Sequence, residues 1–316
     1  EARLIAFVAD SDGSAGADLP GWKQFQDLVG NRRETRDMFA QMTRCESSLL
    51  LAYENQSPEF SELFDARVEW LDDKANDRTV SSSQRAVPLP SMAVVLLIGG
   101  DKTAKGHSQT ISKMYMLLRE YAVENTIGKQ VQSPIMKTLL ERWTSAVSSG
   151  GSSYGMMIAL KYELKDIGLK LAIKLLAENT TSSSTNQYTI ITVGRFGSKE
   201  HVPLLAPLMT NKTVCHRWIR KEGPVTVQIR DVALVVTLHL SGKSPEDYGF
   251  NLLRKSAETL YSVYTFGFED DKEREAAHAR WAADSKGEKS ESTPAPETGE
   301  TPDDLPTVNH VAHKSM

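Results

Sequence analysis

The residues with the strongest chemical signature lie in one short stretch, 210–226, where Trp218 stands among Lys212, His216, Arg217, Arg220 and Lys221. An indole ringed by cations has the composition of a hot spot for an acidic protein partner, or of a platform on which a nucleic-acid base stacks. It equally suits a tryptophan folded back as a cap over the end of a helical stack. Disorder is disfavoured, because Val214, Cys215, Trp218 and Ile219 would all be left in water. Cys215 adjoins His216 and Arg217, and nearby positive charge lowers a thiol pKa. With His201 or His239 the same pair could supply metal ligands, but the paired spacing of a zinc site is absent. The other cysteine, Cys45, falls on an apolar helical stripe and reads as a small core residue. Gly99-Gly-Asp-Lys-Thr-Ala-Lys-Gly106 follows an apolar run but lacks the G-x-x-x-x-G-K-[ST] spacing of a phosphate loop. It reads as a helix ended by glycine and a polar loop. None of the seven histidines belongs to an H-E-x-x-H motif. No acid–base pair, nucleophile set, cofactor loop or metal spacing emerges, so the chain reads as non-catalytic and is assigned no cofactor.

The elements that must position these residues follow the helical period. Phe60, Leu63, Phe64, Val68 and Leu71 form one stripe, with Ser57 as N-cap and Pro58 in the first turn. Thr35, Met38, Phe39, Met42, Cys45 and Leu49 form a second. Leu19, Trp22, Phe25 and Leu28 predict a short helix before Gly30, and Ala2, Leu4, Ile5 and Val8 another at the start. Segments 111–125, 134–147, 154–164, 167–178, 252–266 and 270–284 also read as helices, the last solvated and anchored through Trp281. The apolar runs 92–98 and 188–193 are ambiguous by period alone, and their helical neighbours decide for helix. Residues 77–90, with a serine triplet and two prolines, read as a loop, and 285–316, rich in Ser, Thr, Pro and Glu, as a disordered tail.

Two segments share a shape. Gly168-Leu-Lys-Leu-Ala-Ile-Lys-Leu-Leu-Ala-Glu178 leads through a polar turn to Thr185-Asn-Gln-Tyr-Thr-Ile-Ile-Thr-Val-Gly-Arg-Phe-Gly197. His201-Val-Pro-Leu-Leu-Ala-Pro-Leu-Met209 leads through a longer stretch to 227–242. Each is an apolar helix, a turn, a second apolar helix and glycine, and such a hairpin buries both faces only by stacking on neighbours. In Ile229-Arg230-Asp231-Val232-Ala233, Val193-Gly194-Arg195-Phe196-Gly197 and Val202-Pro203-Leu204-Leu205, the chain resembles the HEAT-like repeat family from about 164 to 242. Thr185-Asn186 departs from the usual Val-Arg, and the turn is far longer than the family's. The resemblance implies an all-α, right-handed solenoid whose concave face binds a partner, most often a protein, with irregular helices before it. Arg195, Arg230 and Asp231 are then expected to tie neighbouring repeats together.

Charge is distributed unevenly around a net of −4. Residues 1–80 carry 9 basic and 16 acidic side chains, 81–221 carry 18 and 8, and 222–316 carry 10 and 17. The expected organisation is an acidic helical region 1–80, a linker 81–90, a helical-repeat domain 91–284 with an insertion 210–226, and the tail. A protein scaffold with an acidic partner is the leading reading. A nucleic-acid-binding solenoid is the alternative, with phosphate contacts from Lys161, Lys165, Lys170, Lys174, Lys212, Arg217, Arg220 and Lys221. An enzyme of unrecognised type is the third. No apolar run reaches the ~18 residues of a membrane span. The choice between cytosol and export is expected to rest on residues upstream of Glu1.

Overall fold

The computed structural model describes residues 1–10, 16, 18–102, 108–128, 131–148, 153–178, 182–221 and 223–291. These are mostly helical: fourteen α-helices and four short strands lie among the described residues. In chain order the helices of the first half are α1 Ala2–Ala9, α2 Trp22–Val29, α3 Arg33–Glu54, α4 Phe60–Ala75, α5 Leu89–Gly99, α6 Ser108–Arg119, α7 Tyr121–Ile127, α8 Pro134–Ser148 and α9 Tyr154–Lys161. They share one hydrophobic core, from Phe7 to Leu164. Phe7, Trp22, Phe25 and Phe39 interlock at its N-terminal end, with Phe7 and Trp22 edge to face at 4.8 Å. The run 92–98 is helical and buried on every side within α5, which explains why no polar face interrupts it. Residues 81–90, expected as a linker, do not separate one core from another: the acidic N-terminal helices and α5 to α9 bury the same apolar surface.

Helix α3 departs from its predicted stripe at one residue. Glu46 has φ −134° and ψ 30°, a kink inside the helix, and the face turned inward changes there. Cys45, predicted to be core, is exposed, while Glu46 is buried. The carboxylate survives burial because Ser91 donates a hydrogen bond to it and the Arg67 guanidinium lies at 2.8 Å. Two further boundaries shift. Ser57 does not cap α4, which starts at Phe60 after a turn closed by the Phe60 N–H to the Ser57 carbonyl at 3.1 Å. The helix predicted over 111–125 breaks at Glu120, whose backbone is extended.

The second core runs from Met156 to Ala277. It is built by α10 Lys165–Glu178, α11 Ser183–Phe196, the single turn α12 Val202–Leu205, α13 Ile229–Leu240 and α14 Asp271–Glu291. Gly168 lets Phe196 and Ala159 approach within 3.1 Å of where a Cβ would stand, and Gly194 does the same for Val236 at 2.9 Å. The glycines of the repeat-like motif are thus sites of close helix packing. Arg195, Arg230 and Asp231 all form ion pairs, the last two with α14 and not with a second repeat-like hairpin, Arg230 reaching Glu275 at 2.9 Å. Arg195 reaches Glu163 in the α9–α10 turn at 3.4 Å, and the buried Asp231 accepts Nε of the buried Arg274 from α14 at 3.1 Å. Trp281 anchors α14, its ring set against Tyr248 at 6.4 Å with the Lys243 ammonium at 5.6 Å.

The helix predicted over 252–266 does not form. The chain instead makes the two-residue strands β3 Lys255–Ser256 and β4 Leu260–Tyr261, paired antiparallel. Serine and threonine side chains compete with the helical backbone here. Ser256 Oγ accepts from the Thr259 N–H at 3.2 Å, and Thr265 Oγ1 accepts from the Arg254 N–H at 3.2 Å while donating to the Ser262 carbonyl at 2.7 Å. The expectation of a disordered tail from Ser285 fails over its first residues, since α14 continues to Glu291; 292–316 lie outside the described residues.

Candidate partner-binding site

The long turn that interrupts the second helix pair is a β-hairpin. Strand β1 Val214–Ile219 pairs antiparallel with β2 Pro224–Gln228, with Trp218 opposite Val225 and a bulge between Val214 and His216. Val, Ile, Trp and Thr suit a pleated surface, and Gly223 at φ 147° closes the turn against Arg220. The far edge of β2 is held to the body by Thr226 and Phe268, which exchange backbone hydrogen bonds at 3.1 and 3.2 Å. Gly267 is required beside this contact, since a Cβ there would run into the Thr226 carbonyl. At its other end β2 runs directly into α13 through a reciprocal cap between Gln228 and Asp231. The hairpin is therefore held at the middle of β2 and at its C-terminal end.

Strand alternation divides the predicted site residues between two faces. His216, Trp218 and Arg220 turn toward the body. The His216 ring packs against Tyr264 at 4.7 Å, and burial holds its pKa below the usual histidine value, so the ring is neutral at pH 7. Trp218 is half-buried, and no acceptor among the described residues reaches its enclosed indole N–H. Arg220 lies 5.7 Å from the Trp218 ring and pairs with Glu269 at 2.8 Å. Lys212, at the base, lies 4.0 Å from Glu275. Arg217 is exposed on the outer face, Lys221 is exposed at the turn, and neither has an ion-pair partner among the described residues. Between them stands Ile219, 88% exposed. The predicted hot spot thus opens up: the indole belongs to the inner face, and the apolar centre of the outer face is Ile219. Strict alternation from Trp218 would have pointed to it, had the segment read as a strand.

Cys215 behaves oppositely to the expectation from its cationic neighbours. Burial, followed by the field of Asp231, pushes its thiol up to about 12, and Sγ donates to the Val227 carbonyl at 3.4 Å. Such a thiol stays protonated at neutral pH and is a poor nucleophile. No three His, Cys, Asp or Glu side chains converge as metal ligands among the described residues, so His201 and His239 do not join the Cys215–His216 pair. His201 instead caps a turn with Ser198, its Nδ1 accepting the Ser198 N–H at 3.1 Å. The cationic strip proposed for phosphate also loses a member. Lys161 is buried, with Nζ on Glu124 at 2.7 Å and on the Arg119 carbonyl at 3.2 Å, and Lys174 pairs with Glu178 at 3.6 Å.

Trp218→Ala is expected to lower stability by about 1.5–2.5 kcal/mol, half the loss on truncating a fully buried tryptophan. Urea denaturation measures it, and a loss beyond that range would place the indole deeper in the fold than its half-burial implies.

Comparison with family models, with curated proteins and with solved structures returns no match. Among the described residues no helix is long and apolar enough to cross a membrane.

Proposed function

We propose that the chain is a non-catalytic, HEAT-like helical-repeat scaffold, a right-handed array that binds an acidic protein partner through the outer face of the β1–β2 hairpin. The observation that carries this reading is Ile219, the most exposed large hydrophobic side chain among the described residues at 88%, set between Arg217 and Lys221, exposed cations with no ion-pair partner among the described residues. An aliphatic anchor with a charged rim is the anatomy of a protein contact, and free cations at the rim steer an acidic partner. Clamping of β2 to Phe268 and α13 means that little ordering entropy is lost on docking. The glycine-mediated packing of α11 on α13 and the Arg195–Glu163 tie support the repeat reading.

Panning a random peptide library against the chain tests it. Enrichment of acidic sequences with an aliphatic residue is the expected result, and Ile219→Asp should abolish their binding while changing stability by no more than about 0.5 kcal/mol, as for surface substitutions generally. Binders of no common charge, or binders indifferent to Ile219→Asp, would sink the proposal. Retention on DNA at low salt that is lost with Arg217→Glu would favour the nucleic-acid reading instead.

A further inference from the structure

A cavity of about 240 Å³ lies where the two cores meet. Arg119 from the end of α6, Tyr188 from α11, and Glu258 and Tyr264 from the β3–β4 region line it, with Met157 and Val263 as apolar wall. Its hydroxyls at Ser256 and Thr259 are taken up by hydrogen bonds within the 256–261 turn, whereas its charged groups are not paired with each other. Neither Glu258 nor the Tyr188 hydroxyl makes a side-chain hydrogen bond or ion pair among the described residues, and Arg119 contacts no carboxylate. Yet the two opposite charges belong to one site: burial opposes the Arg119 charge, the Tyr115 hydrogen bond and the fields of Tyr115 and Glu258 outweigh it, and its pKa ends above the ordinary value.

The guanidinium is also held in place. Arg119 Nη1 donates to the Tyr115 hydroxyl at 2.9 Å, and the Tyr115 ring is stacked on Tyr154 at 4.2 Å. No acceptor among the described residues engages the remaining N–H groups, which suit a planar anion. The opposite wall is built with comparable care. The fully buried Gln187 donates to the Val263 carbonyl at 2.8 Å, while its own Oε1 is enclosed with no partner among the described residues. Leu260, next to the lining residue Thr259, is held at φ 62°, a conformation bulky side chains rarely adopt and one that recurs where a backbone is shaped for a ligand.

We propose that this cavity binds a small zwitterion, an α-amino acid, whose carboxylate lies on Arg119, whose ammonium lies on Glu258, and whose side chain rests against Met157, Val263 and the tyrosine rings. A tethered cation and an anion that line one pocket without pairing with each other are complementary to a ligand carrying both charges, and a simple anion or cation would leave one of them unpaired. The volume of about 240 Å³ sits below the ~300 Å³ at which drug-sized ligand sites begin, a size that suits an amino acid.

Isothermal titration calorimetry with each of the free L-amino acids tests this, using the whole chain. At least one with an apolar side chain should bind, its N-acetyl derivative and its amide should each bind at least tenfold more weakly, and D-enantiomers should bind less well. Arg119→Gln should remove the penalty for amidation and Glu258→Gln the penalty for N-acetylation, each with at least tenfold loss of affinity for the free acid. Arg119 is exposed and Glu258 half-buried, and unchanged melting of the unliganded variants will show that they fold. The proposal is overturned if no amino acid binds at millimolar concentration, if the blocked derivatives bind as well as the free ones, or if either variant binds as tightly as the parent. Ile219→Asp should leave this binding unchanged, so failure here and failure of the hairpin interface can be told apart.

Discussion

Asp231→Ala should destabilise the fold by about 3–5 kcal/mol, the usual loss when one partner of a buried ion pair is removed. Its carboxylate is fully buried and accepts Arg274 Nε at 3.1 Å on both oxygens. It also accepts the Gln228 N–H at 2.9 Å, which fixes the entry from β2 into α13. Arg274 in turn donates to the Thr226 carbonyl at 2.8 Å and pairs with Asp271. Removing the aspartate leaves a guanidinium enclosed without its main counter-charge and frees the base of the hairpin together with the start of α14. Two measurements check this. Denaturant unfolding gives the loss directly. The double variant Asp231→Ala, Arg274→Met should recover some of it, because no charge is then stranded. A double variant that falls by the full sum of the two single losses would mean that the pair is not coupled. The hairpin's backbone amides should also lose hydrogen-exchange protection in the single variant, since this ion pair is one of the contacts that hold β2.

Trp22→Ala should cost about 3–5 kcal/mol, as buried aromatic truncations do. The indole packs against the rings of Phe7, Phe25 and Phe39, with ring centroids 4.8, 6.3 and 5.2 Å away. The more telling consequence lies at a distance. Helix α5 is in the same core although the 81–90 stretch separates it from α2 in sequence. Its amides should therefore lose hydrogen-exchange protection along with those of α2 and α3. Protection of α5 that survives Trp22→Ala unchanged would show the N-terminal helices to be an independent folding unit.

Much of the helical framework was legible in the sequence because helical period is local: the stripe of α4 and the pattern of α8 are each carried by side chains within one segment, while the apolar runs of α5 and α11, ambiguous by period, were decided by their helical neighbours. The misreadings share a cause. Cys45 and Glu46 exchange places because a kink in α3 changes which face turns inward, and Glu46 is tolerated only where Ser91 and Arg67 wait for it. Residues 252–266 have helical spacing but fold as turns, because hydroxyls eleven and three residues apart satisfy their backbone. The hairpin was visible as an ordered insertion with cations around an indole. Its strands were not, because an alternating pattern only six residues long is weak, and its partner, the Phe268 backbone, lies about forty residues away along the chain.

The sequence by itself determined the helical class of the chain, the basic centre between acidic ends, and the presence of one chemically dense insertion, since composition and short-range period suffice for these. Tertiary structure decided which side of that insertion meets solvent. It turned Trp218 toward the body and left Ile219 outside, raised the Cys215 thiol instead of lowering it, and buried Lys161 on Glu124. It alone brought Arg119 and Glu258, 139 residues apart in the numbering, to one cavity. The physical reason is common to all four. Burial and the field of distant charges depend on neighbours that are remote along the chain, and no local pattern of residues encodes them.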